Sequence, residues 1–199
     1  MSPRNLIALV TLLMSSALYS RSASAATLLA SDLIEGDLVI DEIMKDPNAV
    51  ADVYGEWFEI YNASGSDVDL SGLHVYDGGT DTFTVASSVV VSAGGYAVLA
   101  LNKTSGTNGG ITVVDYKYAS STFRLNNTTD QIYLANDTVV VDSVSYDATT
   151  FPSVAGVSLS LDSTALDTTS NDDGSNWCEG STRYGAGDLG TPGGTNDPC

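Results

Sequence analysis

Short runs of β-branched, aliphatic and aromatic residues alternate with clusters of Gly, Asn, Asp, Ser and Thr along most of the chain. DLVIDEIM (37–44), GEWFEIYN (55–62), GLHVYDG (72–78), DTFTV (81–85), SVVVS (88–92) and GYAVLALN (95–102) come first. ITVVDYKY (111–118), DQIYLAN (130–136), TVVVDSVSY (138–146) and VSLSL (157–161) follow. Strands this short, separated by turn residues, predict an all-β sandwich or barrel. No long segment after residue 30 keeps a helical period. Ala135-Asn136-Asp137-Thr138 reads as a tight hairpin turn, because Asn and Asp tolerate left-handed backbone. From Thr164 onward the apolar runs stop. That segment is expected to be an irregular tail, anchored by Trp177.

GEWFEIYN holds two glutamates three positions apart. Side chains alternate faces along a strand, so Glu56, Phe58 and Ile60 share one face and Trp57, Glu59 and Tyr61 the other. Glu56 and Glu59 also stand about 10 Å apart along the strand. They cannot flank one glycosidic bond as a catalytic pair. The pattern predicts Phe58 and Ile60 in the core and Glu59 largely exposed. Glu56, at the strand entrance, is placed to accept backbone N–H groups from a neighbouring loop.

The first 25 residues have the form of a secretory signal peptide. Arg4 supplies the positive start, an apolar stretch follows, and Ala23-Ser24-Ala25 fits the cleavage pattern. The expected organisation is a signal peptide at 1–25, a lead-in at 26–36, a sandwich at 37–163 and a tail at 164–199. The apolar stretch is too short for a good membrane anchor, so the mature chain is expected to be secreted or to sit at the cell surface.

All 25 acidic residues lie after Ala25, against five bases there (Lys45, Lys103, Lys117, Arg124, Arg183), giving the mature chain a formal charge of −20. Such a surface repels phosphate backbones and anionic membranes, which disfavours nucleic acid as a partner. Cys178 and Cys199 are the two cysteines. In an oxidising compartment they are expected to pair, free thiols or an intermolecular bridge being the alternatives. Neither falls in a predicted strand.

Little in the chain looks like an active site. His74, the one histidine, lies in a predicted strand, with no G-x-S-x-G elbow to partner it. A zinc site would need the two cysteines free. Calcium is the single cofactor candidate. The run 168–176 is not an EF-hand loop, since Thr169 stands at the first position and Gly180 at the twelfth. A looser oxygen cage from Asp167, Asn171, Asp172 and Asp173 is the weak candidate that remains. Asp77 and Asp81 form a second one.

Ile40-Asp41-Glu42-Ile43-Met44, Gly55 to Asn62, Val68 to Asp77, Thr82 to Val85 and Ser92 to Leu99 together resemble the lamin-tail domain family, in its exported bacterial form. The ending NWCEGSTRYGAGDLGTPGGTND is similar to endings common in such proteins. Asp41 stands where that family usually has Asn. The resemblance implies an immunoglobulin-like β-sandwich; together with the cysteine pairing expected above, the expected fold is such a sandwich with an irregular, disulfide-stapled C-terminal tail. It implies structural roles for the motif residues: Asn62 and Gly72 shape turns, Leu70 fills the core, Glu56 pins a loop, and Trp57, Phe58 and Ile60 build the second strand. No catalytic residue travels with the domain. The expectation is an exported, non-catalytic module for binding, adhesion or positioning, with an extracellular or surface protein or glycan as partner. A structural envelope component and a hydrolytic enzyme are the alternatives.

Overall fold

The strand pattern of the sequence is realised in thirteen short strands. They occur in the computed structural model, which describes residues 26–199. The signal-peptide and cleavage readings fall on residues 1–25, outside the described residues. The first strands are β1 (Leu28–Leu29), β2 (Leu38–Met44), β3 (Trp57–Asn62), β4 (Val68–Asp69), β5 (His74–Tyr76), β6 (Thr82–Thr84) and β7 (Val90–Val91). Then come β8 (Tyr96–Ala100), β9 (Tyr116–Lys117), β10 (Thr129–Ala135), β11 (Val140–Asp147), β12 (Leu159–Leu161) and β13 (Trp177–Glu179). One helical turn, α1 (Asp52–Gly55), leads into β3.

Two main sheets face each other. A six-stranded sheet runs β13-β12-β2-β3-β8-β9, and a four-stranded sheet runs β11-β10-β5-β6. A small sheet, β1-β4-β7, closes one end. Most pairs are antiparallel; β1 with β4 and β8 with β9 are parallel. The result is an immunoglobulin-like sandwich. Between the sheets lies the main core, where Phe58 and Ile60 of β3 are fully buried with Ile43, Leu99, Ile132 and Val144. Phe58 packs against the rings of Tyr118 and Phe123, with centroids 6.0 and 6.2 Å away.

The hairpin at 135–138 forms, but not for the reason the sequence suggested. No residue other than glycine has positive φ among the described residues. Asn136 instead accepts the amides of Thr138 and Val139 on Oδ1, and a bulge at Leu134/Ala135 absorbs the bend.

The largest departure concerns the outer face of the six-stranded sheet. Glu59 is not exposed; it is completely buried. Alternation does place it opposite Phe58, but that face is covered rather than open to water. β3 is a central strand, between β2 and β8. The polypeptide after β13 lies across all three. Beneath it Met44, Trp57, Val98, Ala100 and Ile111 form a second, smaller core, capped by Val114 and Tyr184. The segment expected to be an irregular, anchored tail thus supplies an edge strand and the roof of a sheet.

Cys178 and Cys199 are bonded, with Cα atoms 5.6 Å apart. Cys178 lies inside β13, against the expectation that no cysteine falls in a strand. The bond closes a loop over a sequence separation of 21. In the chain-entropy account such a closure stabilises by about 3 kcal/mol. Reduction is therefore expected to lower the denaturation midpoint and to increase amide exchange in 178–199 first, measured by mass spectrometry. Unchanged exchange there after reduction would contradict this.

Candidate functional site

Two places gather polar side chains. The first is the sealed outer face of the six-stranded sheet. Glu42 and Glu59 are directly paired across β2 and β3. Asp41 has no cross-strand partner, because the register slips between Ile40 and Glu42. This bulge sets a third acid beside the pair. All three are fully buried.

The roof segment meets them with its backbone and small polar groups. Thr191 donates its amide to Glu42 Oε1 at 2.9 Å and its hydroxyl to Oε2 at 3.2 Å. Ser158 and Ser160 of the neighbouring chain segment donate to the same Oε1 at 2.6 and 3.1 Å. Gly193 donates its amide to Glu59 Oε2. Its φ is +89°, and an added Cβ would come within 2.5 Å of the Val113 side chain, so only glycine fits. Asn196 donates to the backbone oxygens of Asp41 and Leu161 at 2.8 and 3.0 Å. Both carboxyl oxygens of Asp41 and Oε1 of Glu59 have no hydrogen-bond partner among the described residues.

Burial pushes the Asp41 and Glu59 carboxyls well above the ordinary range, and the neighbouring acids push them further. Burial also raises Glu42, against the pull of its Ser158, Thr191 and Ser160 donors.

The second place is the outer face of the four-stranded sheet, where side chains are exposed or half-buried. Tyr76 of β5 and Tyr133 of β10 pair across the strands and stack, with centroids 4.9 Å apart and planes 6° from parallel. Gln131, Thr82, Ser143 and Ser145 surround them. At one end lies a groove of about 650 Å³, lined by Leu29, Gly72, His74, Thr84, Asn136 and Asp137 among others. His74 Nδ1 is 3.0 Å from Thr84 Oγ1, and Nε2 is 3.4 Å from Asp137 Oδ1. Hydroxyl and amide groups meet the carboxylates of Asp69 and Asp137 in this groove, while the tyrosine pair lies on the sheet face beside it.

The residues singled out in the sequence go to separate places. Glu56 accepts the Leu125 amide at 3.0 Å, with Arg124 3.8 Å away, and so ties a loop to β3. Burial raises it to about 7, partly opposed by that amide and by Arg124. Trp57 is buried, and its Nε1 donates to the Tyr184 hydroxyl at 3.1 Å. Asn62 ties its turn by donating to the oxygens of Ser66 and Val91 at 2.8 and 2.9 Å. Leu70 is fully buried, and Gly72 holds φ +94°.

The four calcium candidates are not brought together. Asp167 accepts from the Thr169 and Ser170 amides, and Asp173 from the Ser175 amide. Asn171 faces inward and donates to Asp142 at 2.8 Å. Asp172 lines a different, shallow groove beside Asp142. Asp77 accepts from Gly79 and Asp81, its own loop. Among the described residues no group of three or more His, Cys, Asp or Glu is arranged to hold a metal ion.

Sequence reasoning passed over Asp41, Glu42, Asp142 and Asn196, and the Tyr76–Tyr133 pair. One signal was available. Asp41-Glu42 interrupts an apolar run that reads as a central strand, where a charge must find partners.

No curated protein and no solved structure matches the chain. The sequence profile of the Lamin Tail Domain family matches residues 34–148, from the lead-in through β11. That span holds most strands of both main sheets, and the chain belongs to the Lamin Tail Domain family.

Proposed function

We propose that the protein is an exported, non-catalytic binding module whose ligand surface is the open face of the four-stranded sheet. One observation carries this reading: the two outer faces are treated differently. The six-stranded sheet is roofed by the chain's own C-terminal segment. The four-stranded sheet offers water a stacked tyrosine pair among hydroxyl and amide groups, with a groove at its end. Aromatic faces with convergent hydroxyls and amides suit a surface glycan or a polar protein segment. The intramolecular disulfide fits an oxidising location. Among the described residues no helix is long and apolar enough to cross a membrane.

Tyr133→Ala tests the reading, because Tyr133 is half-buried on a face that no other element covers among the described residues. Mature protein applied to arrays of glycans and surface proteins should bind a defined class of ligand. The variant should lose about tenfold or more in affinity, as truncation of an aromatic anchor does. Equal binding by the variant would move the ligand off this face. Turnover of a substrate by the purified chain would overturn the non-catalytic reading. Co-fractionation with envelope material, with no ligand bound, would make it a structural component.

A further inference from the structure

Among the described residues the sealed acids under the C-terminal segment have no counter-charge. The charged groups acting on Asp41 are Glu42 on its own strand and Asp142 across the sandwich. Those acting on Glu59 are Asp41 and Glu42 from β2 and Asp115 from the loop before β9. Tyr96 on β8 lies close enough to feel both Asp41 and Glu59, and Tyr184 of the roof feels Glu42. Among the described residues no lysine or arginine acts on any of the three. Glu42 is met by four hydrogen-bond donors: the hydroxyls of Ser158 and Ser160, and the amide and hydroxyl of Thr191. Those contacts suit a carboxylate. Asp41 receives no hydrogen bond on either oxygen, and Glu59 receives one.

A fully buried carboxylate with neither a cation nor donors is costly, and the neutral acid form avoids that cost. Three adjacent acids on one face cannot all ionise in a dry site, as in paired-carboxylate enzymes.

We propose that Asp41 and Glu59 are carried as neutral carboxylic acids beneath the 191–196 segment, and that their loss of protons to solvent unseats that segment as a pH-operated latch. In the seated state Glu42 alone is charged and is satisfied. When Glu59 and then Asp41 ionise, like charges meet under a roof that offers one amide. Water must then enter, and the shortest route is to lift 191–196 away from the sheet. The disulfide keeps the far end attached, so the opening is local and reversible. The inference is independent of any ligand on the opposite, open face.

The test is a pH series from 5 to 9 on the oxidised mature protein. Side-chain ¹³C carboxyl shifts of Asp41 and Glu59 report protonation directly. Amide exchange at Thr191 and Gly193, corrected for intrinsic rate, reports seating. Neutral Asp41 and Glu59 signals at pH 6 are expected. Protection at Gly193 should fall as pH rises from the ordinary carboxyl range of the open state to the raised value of the seated state, by about tenfold per pH unit for each acid, and level off above it. In Glu59→Gln and Asp41→Asn, which keep shape and remove one ionisation, the fall should shift to higher pH or vanish.

Ionised carboxyls at pH 6 in the wild type would overturn the proposal without recourse to any variant. So would a protection profile that is flat with pH, or one that is the same in wild type and variants. Restoration of seating at pH 9 by millimolar Ca²⁺ or Mg²⁺ alone would show that a cation, not a proton, keeps the face closed, and would also overturn it.

Discussion

Phe58→Ala should lower the stability of the folded chain by about 3–5 kcal/mol, the usual loss for a fully buried aromatic. Phe58 is completely buried, lies on a strand paired on both sides, and touches Tyr118 and Phe123. None of those neighbours can move into the space without breaking its own packing. For a chain of this size the melting temperature should fall by about 10 °C. Thermal unfolding followed by circular dichroism gives the answer, and an unchanged midpoint would contradict the core position of Phe58. Ile60→Val, a smaller deletion on the same face, should lose only about 1 kcal/mol.

The second large effect is on the dependence of stability on pH. Glu56 and Asp142 are both pushed up to about 7, chiefly by burial. Asp142 is held by the Ile40 amide at 2.6 Å and by Asn171, and Glu56 by the Leu125 amide. Each folded-state value lies above its unfolded value near 4. Below about pH 4 both states are protonated, and neither group penalises folding. Between about 4 and 7 the unfolded chain ionises first, so stability falls as pH rises. Each group contributes on the order of 3 kcal/mol to that fall across the window, less whatever solvent screening removes. Above about 7 the slope from these two groups ends.

The surface acids act with the opposite sign. Asp69, Asp147, Asp162, Asp167, Asp173 and Asp197 are held below the ordinary carboxylate range by hydroxyl and amide donors. Their contribution is present above about pH 4 and lost as pH falls through their lowered values. Maximum stability is therefore expected near pH 4–5. Guanidinium denaturation at pH 5 and pH 8 should show the higher midpoint at pH 5. Glu56→Gln should flatten part of the difference. Equal midpoints, or a higher one at pH 8, would contradict the burial of these two carboxyls.

Period-two patterning made the strands legible, and it worked best where a strand is flanked on both sides. Every predicted run contains a strand, and Phe58 and Ile60 lie inward as alternation requires. ITVVDYKY reads as a full strand but pairs only at Tyr116–Lys117, because Ile111 and Val114 serve the second core as loop residues instead. β1, β4 and β13 were not legible. Each is two or three residues long, and pairing rather than propensity makes them strands.

Glu59 was misjudged for a different reason. Alternation tells which face a side chain takes, not whether that face is wet. What covers this face lies more than 130 residues downstream, in a glycine-rich segment with no apolar run of its own. That segment binds through backbone amides, which every sequence has, so composition could not announce it. The disulfide was legible from cysteine count and compartment. The open tyrosine face was not, because Tyr76 and Tyr133 are distant in sequence and only the β5–β10 register brings them together.

The roof over the six-stranded sheet has a consequence for the order of folding. Glu42 meets Thr191 across 149 residues, and Asp41 meets Asn196 across 155. A ribosome makes β2, β3 and β8 long before it makes the segment that covers them. Contacts this distant slow the final step, and until then Trp57, Met44 and Val98 lie uncovered in a nascent sheet, the kind of surface that draws chains into aggregates. In that open intermediate Asp41, Glu42 and Glu59 are hydrated, so they titrate as ordinary carboxyls and are fully ionised at neutral pH. Three negative charges then stand beside the exposed apolar strip and repel a second copy, the part gatekeeper residues play next to sticky strands. The same acids that cost stability in the finished domain thus protect it while it is being made.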